Sequence, residues 1–320
     1  MSDDEQVTDG QRDDDRTAED APTQDHQPED GEREDGERED RETEDGEREE
    51  SRDDDTGLRV VDGGGDGRPV VLIHGWPLSK ASWSHQVPKL TEAGYRVVTY
   101  DRRGFGQSDP GDGYDYDKLA GDLDNILTDL DLSDVTLVGF SMGGGEVARY
   151  IATYGEERLR SVVFASAVPP YLHRTDDNPD GPLDDDTAAQ LRKGLEDDRD
   201  GFFDEFMTQF FSAGDELKVS EEQRQEALEM CRESDQEAAL ACLDAFATTD
   251  FRDDLTKVSV PTLVIHGDHD ATVPFEGSGK RTHEAIAGST LVVIEGGPHG
   301  INVSHALEFT NAVRNFLDEA

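Results

Sequence analysis

A serine flanked by glycines is the strongest chemical signal in this 320-residue sequence. Gly139-Phe140-Ser141-Met142-Gly143 follows an apolar run at 135–138 and precedes a segment with helical spacing. A sharp turn between a strand and a helix exposes such a serine, and glycines two residues to either side let the backbone pack closely. The helix N-terminus that follows supplies positive potential for an oxyanion. We therefore predict that Ser141 is a nucleophile; the alternative is a purely structural turn.

A serine nucleophile needs a histidine as base and a carboxylate that orients the histidine. Gly267-Asp268-His269-Asp270 follows an apolar run at 262–265, and Gly297-Pro298-His299-Gly300 follows another at 290–294. The chain order serine, acid, histidine fits hydrolases that carry the serine on a strand–turn–helix motif. This order predicts His299 as the base, and Asp268 or Asp270 as the acid.

A metal site is an alternative use of the same loop. His266 and His269 stand close in sequence to Asp268 and Asp270. No third, well-spaced group of ligands accompanies them, so the sequence favours catalysis without a metal.

The elements that would position these residues alternate between apolar runs and amphipathic segments. The runs are residues 70–73, 95–100, 135–138, 161–165, 262–265 and 290–294, and the clearest helical segments are 119–130, 145–154 and 306–317. Continuous β-branched runs are typical of strands buried on both faces, and their alternation with helices predicts a parallel sheet. The serine, the acids and the histidine all follow predicted strands, where open α/β sheets form their sites.

The segment 170–249 interrupts this alternation. It contains no clear strand and begins with turn-forming residues, and helix-like stretches with five phenylalanines follow. We predict a helical lid over the site, although the same spacing fits an ordinary packed helix face. The phenylalanines are Phe202, Phe203, Phe206, Phe210 and Phe211.

The N-terminal segment 1–56 differs in composition from the rest of the chain. Its first 55 residues hold 27 acidic and 7 basic residues and almost no large apolar ones. A segment this polar cannot offset its ordering entropy by burial, so we predict a disordered acidic tail before one domain at 57–320. The tail is either a solvated bristle or an arm that docks a partner.

The acidic excess extends beyond the tail. The whole chain carries a formal net charge of −46, and the 27 acidic and 7 basic residues of the first 55 account for less than half of it. Molar salt shortens the Debye length to about 3 Å and removes most of the resulting self-repulsion. The composition resembles that of proteins from halophiles that accumulate salt. It also argues against nucleic acid or an anionic membrane as a partner.

The two cysteines and the lack of long apolar runs bear on location. Cys231 and Cys242 fall in one helix-like stretch, where a shared helix would hold their Cα atoms about 16 Å apart, too far for a disulfide. Free thiols and the absence of a signal-like or membrane-spanning run predict a cytoplasmic protein.

These motifs together resemble the α/β-hydrolase superfamily, and within it the cofactor-free (non-haem) haloperoxidases, also called perhydrolases, and the related arylesterases. The resemblance extends from about residue 58 to the C-terminus. Its main motifs are Leu72-Ile73-His74-Gly75-Trp76-Pro77, Asp101-Arg102-Arg103-Gly104-Phe105-Gly106, Gly139-Phe140-Ser141-Met142-Gly143-Gly144-Gly145-Glu146, Val168-Pro169-Pro170-Tyr171, Gly267-Asp268-His269-Asp270 and Pro298-His299-Gly300.

The resemblance implies an α/β-hydrolase fold with a mostly parallel sheet, flanking helices and a helical lid. It implies that Asp270 is the acid of the triad, that Trp76 and Met142 donate backbone N–H groups to the oxyanion, and that no metal, haem or flavin takes part. We also expect Trp76, Phe140 and Met142 to contact the substrate.

The implied activity is hydrolysis of small carboxylic esters. Members of the family also pass the acyl group from an ester or carboxylic acid to hydrogen peroxide, which yields a peracid that oxidises halide outside the protein. Pro77, after the oxyanion tryptophan, resembles members that favour the peracid. A non-catalytic ligand-binding or interaction protein with the same fold is the alternative, although it would be expected to lack part of the triad.

One departure from the family concerns the first edge of the sheet. The family begins with a β-hairpin, but here only Leu58-Arg59-Val60-Val61 precedes the glycine-rich turn at 62–67. We therefore expect a sheet that lacks one strand or has a weak edge.

Overall fold

A computed structural model describes residues 49–52 and 57–320. Its strands are β1 (Glu49–Arg52), β2 (Arg59–Asp62), β3 (Pro69–Ile73), β4 (Arg96–Asp101), β5 (Val135–Phe140), β6 (Leu159–Ala165), β7 (Ser212–Ala213), β8 (Glu216–Leu217), β9 (Thr262–Gly267) and β10 (Thr290–Ile294). Its α-helices are α1 (Gln86–Glu92), α2 (Tyr116–Asp129), α3 (Met142–Tyr154), α4 (Asp185–Asp197), α5 (Arg199–Phe210), α6 (Glu221–Glu233), α7 (Gln236–Thr248), α8 (Arg252–Leu255), α9 (Gly279–Ala285), α10 (Ile301–Ser304) and α11 (Ala306–Glu319). Two short 3₁₀ helices span Lys80–Trp83 and Phe275–Gly277.

Eight strands form one sheet in the order β1-β2-β4-β3-β5-β6-β9-β10. The pairs β1–β2 and β2–β4 are antiparallel, and all other neighbours are parallel. Helices α2, α3 and α8 pack together beside the sheet, and α1 packs on α11. The predicted class, a mostly parallel sheet flanked by helices, is therefore confirmed.

The central strands are buried because their sequences are apolar on both faces. All six residues of β5 are buried, as are the last four of β3. Parallel strands covered by helices on each side need such runs. The six predicted strands are all present, with ends that differ by at most two residues from the expected ones.

The first edge of the sheet corrects two expectations. Residues 49–52 form β1 and pair antiparallel with β2, so the sheet does not lack a strand. This strand comes from the end of the segment predicted to be disordered, and that prediction is wrong for residues 49–52. Strand pairing uses backbone hydrogen bonds, which a polar sequence supplies as well as an apolar one. The remainder of the predicted tail, residues 1–48 and 53–56, lies outside the described residues.

The segment between β6 and β9 contains α4 to α7, with a hairpin of two short strands, β7 and β8, after α5. The expectation of helices alone is wrong at that hairpin, where Gly214 has a positive φ of 60° that suits a tight turn. We call α4 to α7 with this hairpin the cap.

The two cysteines lie on different helices of the cap, which corrects the prediction of one continuous helix. Cys231 belongs to α6 and Cys242 to α7. The break between them follows from Asp235, whose side chain accepts a hydrogen bond from the backbone N–H of Ala238 and so begins a new helix. Both thiols are free and buried.

Within the described part of the chain, no helix combines the length and the apolar character needed to cross a bilayer.

Candidate active site

Ser141 lies in the sharp turn between β5 and α3. Its backbone has φ 55° and ψ −118°, a conformation that is unusual for a residue with a side chain. The turn is held by hydrogen bonds from the Ser141 N–H to Ala165 O at 2.8 Å, and from the N–H groups of Gly144 and Val168 to Ser141 O at 3.0 and 3.2 Å. The hydroxyl therefore projects from a backbone that neighbouring elements fix in a strained state.

The two glycines of the motif are required by close backbone contacts. A Cβ atom on Gly139 would lie 2.5 Å from the carbonyl oxygen of Gly143. A Cβ atom on Gly143 would lie 2.6 Å from the carbonyl oxygen of Ile73 on the neighbouring strand β3. Any larger residue at either position would push α3 away from the sheet and move Ser141 with it.

His299 lies in the loop after β10, and its ring connects the serine to a carboxylate. Its Nε2 is 2.9 Å from Ser141 Oγ, and its Nδ1 is 2.6 Å from Asp270 Oδ2. The side chain of His299 is almost fully buried. The three predicted residues, which stand far apart in the sequence, thus form one continuous chain of hydrogen bonds.

Two aromatic rings hold the imidazole of His299. Phe140 of β5 has its ring centroid 5.3 Å away, and Phe210 of α5 packs edge-on at 4.7 Å. The backbone of the cap also reaches this loop, because the N–H of Gly300 donates to Phe210 O at 3.0 Å. The phenylalanine spacing of α5 suggested a lid or a core face, but the contact of Phe210 with the base could not be predicted from it.

Asp270, in the loop after β9, is surrounded by hydrogen-bond donors. Its Oδ1 accepts the backbone N–H groups of Thr272 at 2.9 Å and Val273 at 2.7 Å, while His266 Nε2 lies 3.1 Å from Oδ2. Burial alone would raise the pKa of Asp270, but the interactions with His299 and His266 lower that pKa to about 2. The carboxylate is therefore ionised throughout the neutral range.

Asp268, the other acid that the sequence left open, points elsewhere. Its Oδ1 lies 2.7 Å from His269 Nδ1 and accepts the N–H of Gly296 at 2.7 Å. The N–H of His269 donates to Gly297 O at 3.0 Å. These bonds tie the loop after β9 to the loop after β10. Asp268 thus acts on the backbone of the loops, and Asp270 is the acid that contacts His299.

The candidate oxyanion donors are two backbone N–H groups, one from the residue after the serine and one from the loop after the neighbouring strand β3. Those of Trp76, in the loop after β3, and of Met142, the first residue of α3, have no hydrogen-bond acceptor among the described residues. The Trp76 loop is a tight turn in which the N–H of Leu78 donates to Gly75 O at 3.0 Å. Pro77 within it is buried and has no N–H, so it shapes the turn without donating.

A buried polar cluster fixes the Trp76 loop to α3. Arg102 donates Nε–H to Glu146 Oε1 at 2.5 Å and its backbone N–H to His74 Nε2 at 2.9 Å, and Tyr100 donates to Glu146 Oε2 at 2.7 Å. Because Nε2 of His74 accepts, its proton is on Nδ1, which donates to Gly75 O. Burial first, and then the charge of Arg102, hold the pKa of His74 well below its usual value. This ring is therefore a neutral structural link.

A cavity of about 220 Å³ opens beside Ser141, between the core loops and the cap. Trp76 and two phenylalanines of α5, Phe202 and Phe206, form much of its wall. None of the residues that line the cavity is charged, and its polar side chains are hydroxyls, the Trp76 indole and one amide, that of Gln209. The indole of Trp76 is anchored to the cap by a hydrogen bond to Ala239 O at 2.9 Å.

The three residues expected to contact the substrate lie differently with respect to the cavity. Trp76 lines the cavity, but Phe140 and Met142 do not. Phe140 is the last residue of β5, and its ring is fully buried beneath His299, while the Met142 side chain is also fully buried. Of the three, only Trp76 presents its side chain to the cavity, while the backbone N–H of Met142 remains a candidate contact.

In the described part of the chain, histidines, cysteines and acids do not gather in any group of three that could bind a metal ion. His266 and His269, which suggested a metal site, instead contact Asp270 and Asp268.

Known proteins with similar sequences and structures bear directly on this site. A family described as alpha/beta hydrolase fold matches residues 68–306. A putative non-heme chloroperoxidase from Synechocystis sp. is 46% identical over 256 residues, which is 79% of this chain and 92% of that protein. A bifunctional esterase/perhydrolase from Acinetobacter calcoaceticus is 38% identical over 245 residues, or 74% of this chain and 87% of that one. The crystal structure of a bromoperoxidase from Bacillus anthracis, 56% identical, superposes with a TM-score of 0.80 and covers 82% of this chain and 95% of the other.

Proposed function

The chain belongs to the α/β-hydrolase fold family and is an enzyme of that class, and we propose that it hydrolyses small carboxylic esters through Ser141, His299 and Asp270. The observation that supports this most strongly is the hydrogen-bonded chain from Ser141 Oγ through His299 to Asp270, with distances of 2.9 and 2.6 Å. One of the relatives is named a bifunctional esterase/perhydrolase, which agrees with this proposal.

In the proposed reaction, Ser141 Oγ attacks the ester carbonyl carbon while His299 Nε2 takes the hydroxyl proton. The negative charge on the carbonyl oxygen is stabilised by the free N–H groups of Trp76 and Met142. The ester C–O bond breaks, and His299 returns its proton to the departing alcohol. Water, deprotonated by His299, then attacks the acyl-enzyme, and the carboxylic acid leaves as Ser141 recovers its proton. Asp270 holds the imidazole in the tautomer with its proton on Nδ1 and stabilises the imidazolium.

The size and charge of the cavity favour a small, neutral ester. A volume of about 220 Å³ is below the roughly 300–1,000 Å³ of sites that bind drug-sized ligands. No cation lines the wall, and a chain with a net charge of −46 repels anions. We expect activity to fall steeply as the acyl chain lengthens, since a long chain would have to displace Phe202 or Phe206.

Perhydrolysis is the second activity that we propose, because one relative is named an esterase/perhydrolase and others are named haloperoxidases. Hydrogen peroxide would replace water in the attack on the acyl-enzyme, which gives a peracid and free Ser141. Pro77 shapes the loop of the oxyanion donor Trp76, so it is placed to influence how water and peroxide compete.

A series of p-nitrophenyl esters from acetate to decanoate, assayed with and without peroxide, tests both activities. We expect the acetate and butyrate to be hydrolysed and Ser141→Ala to abolish turnover. His269→Gln is the matched control, since this exposed histidine of the same site loops should be dispensable. If Ser141→Ala keeps more than a small fraction of the activity, the proposed nucleophile is wrong. For Pro77→Leu we expect a lower ratio of peracid formation to hydrolysis. An unchanged ratio would show that Pro77 does not influence how water and peroxide compete.

The acidic composition leads us to propose further that the enzyme works at molar salt. Acidic residues exceed basic ones by 76 to 30, and their mutual repulsion is screened only at high ionic strength. We expect the thermal unfolding midpoint to rise between 0.1 and 2 M KCl. An unchanged or falling midpoint would contradict the proposed adaptation to salt.

A further inference from the structure

His266 is a buried histidine beside the site that the reaction outlined above does not use. It lies on β9, four residues before Asp270, and its side chain is fully buried. Its Nε2 is 2.8 Å from Val273 O and 3.1 Å from Asp270 Oδ2. The ring thus contacts the same carboxylate oxygen, Oδ2, that lies 2.6 Å from His299 Nδ1.

The contacts of His266 define its protonation state. A carbonyl oxygen and an ionised carboxylate both accept hydrogen bonds, so Nε2 must carry a proton. The other nitrogen, Nδ1, is buried and has no partner among the described residues. It faces the backbone of Gly279 on α9, where even a Cβ atom would lie only 2.4 Å from it. A proton on Nδ1 would be a buried donor without an acceptor, so the ring acts on Asp270 as a donor through Nε2.

Asp270 consequently has a donor for each of its main acceptor positions. Two backbone N–H groups occupy Oδ1, and Oδ2 is shared between His299 Nδ1–H and His266 Nε2–H. A carboxylate that is already hydrogen-bonded attracts each further proton less strongly. The titratable groups in contact with His266 are Asp270 directly and His299 through it. Phe275 and Gly279, which pack on its other sides, carry no charge.

We propose that His266 is a positioning residue, which orients the Asp270 carboxylate toward His299 and moderates its pull on the imidazole proton. Because Oδ2 is shared between two donors, it attracts the proton on His299 Nδ1 less strongly than an unshared carboxylate oxygen would. This inference rests on the proposed function for its kinetic consequence, but its electrostatic consequence can be measured without turnover.

The test compares three substitutions of His266. In His266→Gln the amide nitrogen reaches the position of Nε2 and preserves the donor, whereas His266→Asn is too short and His266→Leu has no donor. We expect the acid limb of kcat/KM against pH to move up by about one pH unit in the Asn and Leu variants, and to stay within about 0.3 unit in the Gln variant. His269→Gln, in the same loop but bonded to Asp268, should leave the limb unchanged.

The same variants are also followed by NMR titration of the His299 ring, which reports its protonation without any substrate. A purely structural role would lower the unfolding temperature and leave the His299 titration unshifted in all folded variants, and that result would overturn the proposal. So would a shift in the Gln variant equal to that in the Asn variant. If the wild type fails to hydrolyse esters, the proposed function fails, while the NMR titration still decides whether His266 tunes His299.

Discussion

Replacing Asp270 by asparagine tests the geometry of the site more sharply than removing the nucleophile. The carboxylate of Asp270 faces donors on both oxygens, namely the N–H groups of Thr272 and Val273 on one side and the rings of His266 and His299 on the other. An asparagine has a single acceptor oxygen, and two backbone donors will hold it on their side. Its NH₂ group then faces the two histidines.

The consequence falls on the tautomer of His299. With an amide donor opposite Nδ1, the ring must carry its proton on Nε2, where it points at Ser141 Oγ and cannot accept the hydroxyl proton. Loss of the correct tautomer costs about 10⁴ in kcat in other triads of this kind, which corresponds to about 5.5 kcal/mol of transition-state stabilisation. We expect a loss of the same order in kcat for p-nitrophenyl acetate, with the fold retained.

Asp268→Asn is the control, because Asp268 lies two residues away and bonds the loop backbone instead of His299. We expect it to reduce kcat less than about tenfold. A loss below tenfold for Asp270→Asn, or an equal loss for the two variants, would refute the assignment of Asp270 as the orienting acid.

Three further predictions concern stability and access. Glu146→Gln leaves the guanidinium of a fully buried ion pair without its carboxylate, so urea unfolding should show a loss of about 3 kcal/mol or more in the free energy of unfolding. Asp197→Asn, in an exposed pair, should change it far less, and similar losses for the two variants would contradict the structural role of the cluster. Burial raises the pKa of both thiols, that of Cys242 to about 12. A thiol reagent at pH 8 should therefore label neither Cys231 nor Cys242 in the native protein and should label both after denaturation. Rapid labelling of the native protein would contradict their burial. The folded pKa of Asp270 lies below the usual 3.8, so its ionised form stabilises the fold by about 2 kcal/mol above about pH 4, and this contribution should be lost as the pH falls to about 2. The difference in free energy of unfolding between the wild type and Asp270→Asn should therefore narrow over this pH range. A constant difference would contradict the lowered pKa.

The strands and the loops that carry chemistry were predictable from sequence because their signals are local. A continuous apolar run such as β5 requires burial on both faces, and the glycines around Ser141 are required by backbone contacts within and next to the same turn. Order along the chain then identifies the histidine. The hairpin β7–β8 and strand β1 were missed because short or polar strands depend on backbone pairing with a partner, which the sequence of one strand does not reveal.

The contacts that tune the site depend on tertiary structure and were not predictable. The residue pattern did not decide whether Asp268 or Asp270 is the acid that orients the histidine. Only the direction of each side chain distinguishes the two. His266 competed as a metal ligand in the sequence, but the fold turns it toward Asp270. Phe210 comes from the cap, and nothing in its spacing shows that it would pack on His299. Phe140 stands beside the nucleophile in sequence, yet strand geometry buries it away from the cavity.

Covalent labelling by a fluorophosphonate, with the adduct located by peptide mass spectrometry, is the most direct test of Ser141 as the nucleophile. We expect one adduct per chain, on Ser141, formed in molar salt with loss of ester hydrolysis, and a large drop in labelling rate for His299→Ala. No adduct on Ser141 in folded protein, or an adduct whose formation leaves hydrolysis intact, would contradict a serine nucleophile and favour a non-catalytic binding protein or a different site.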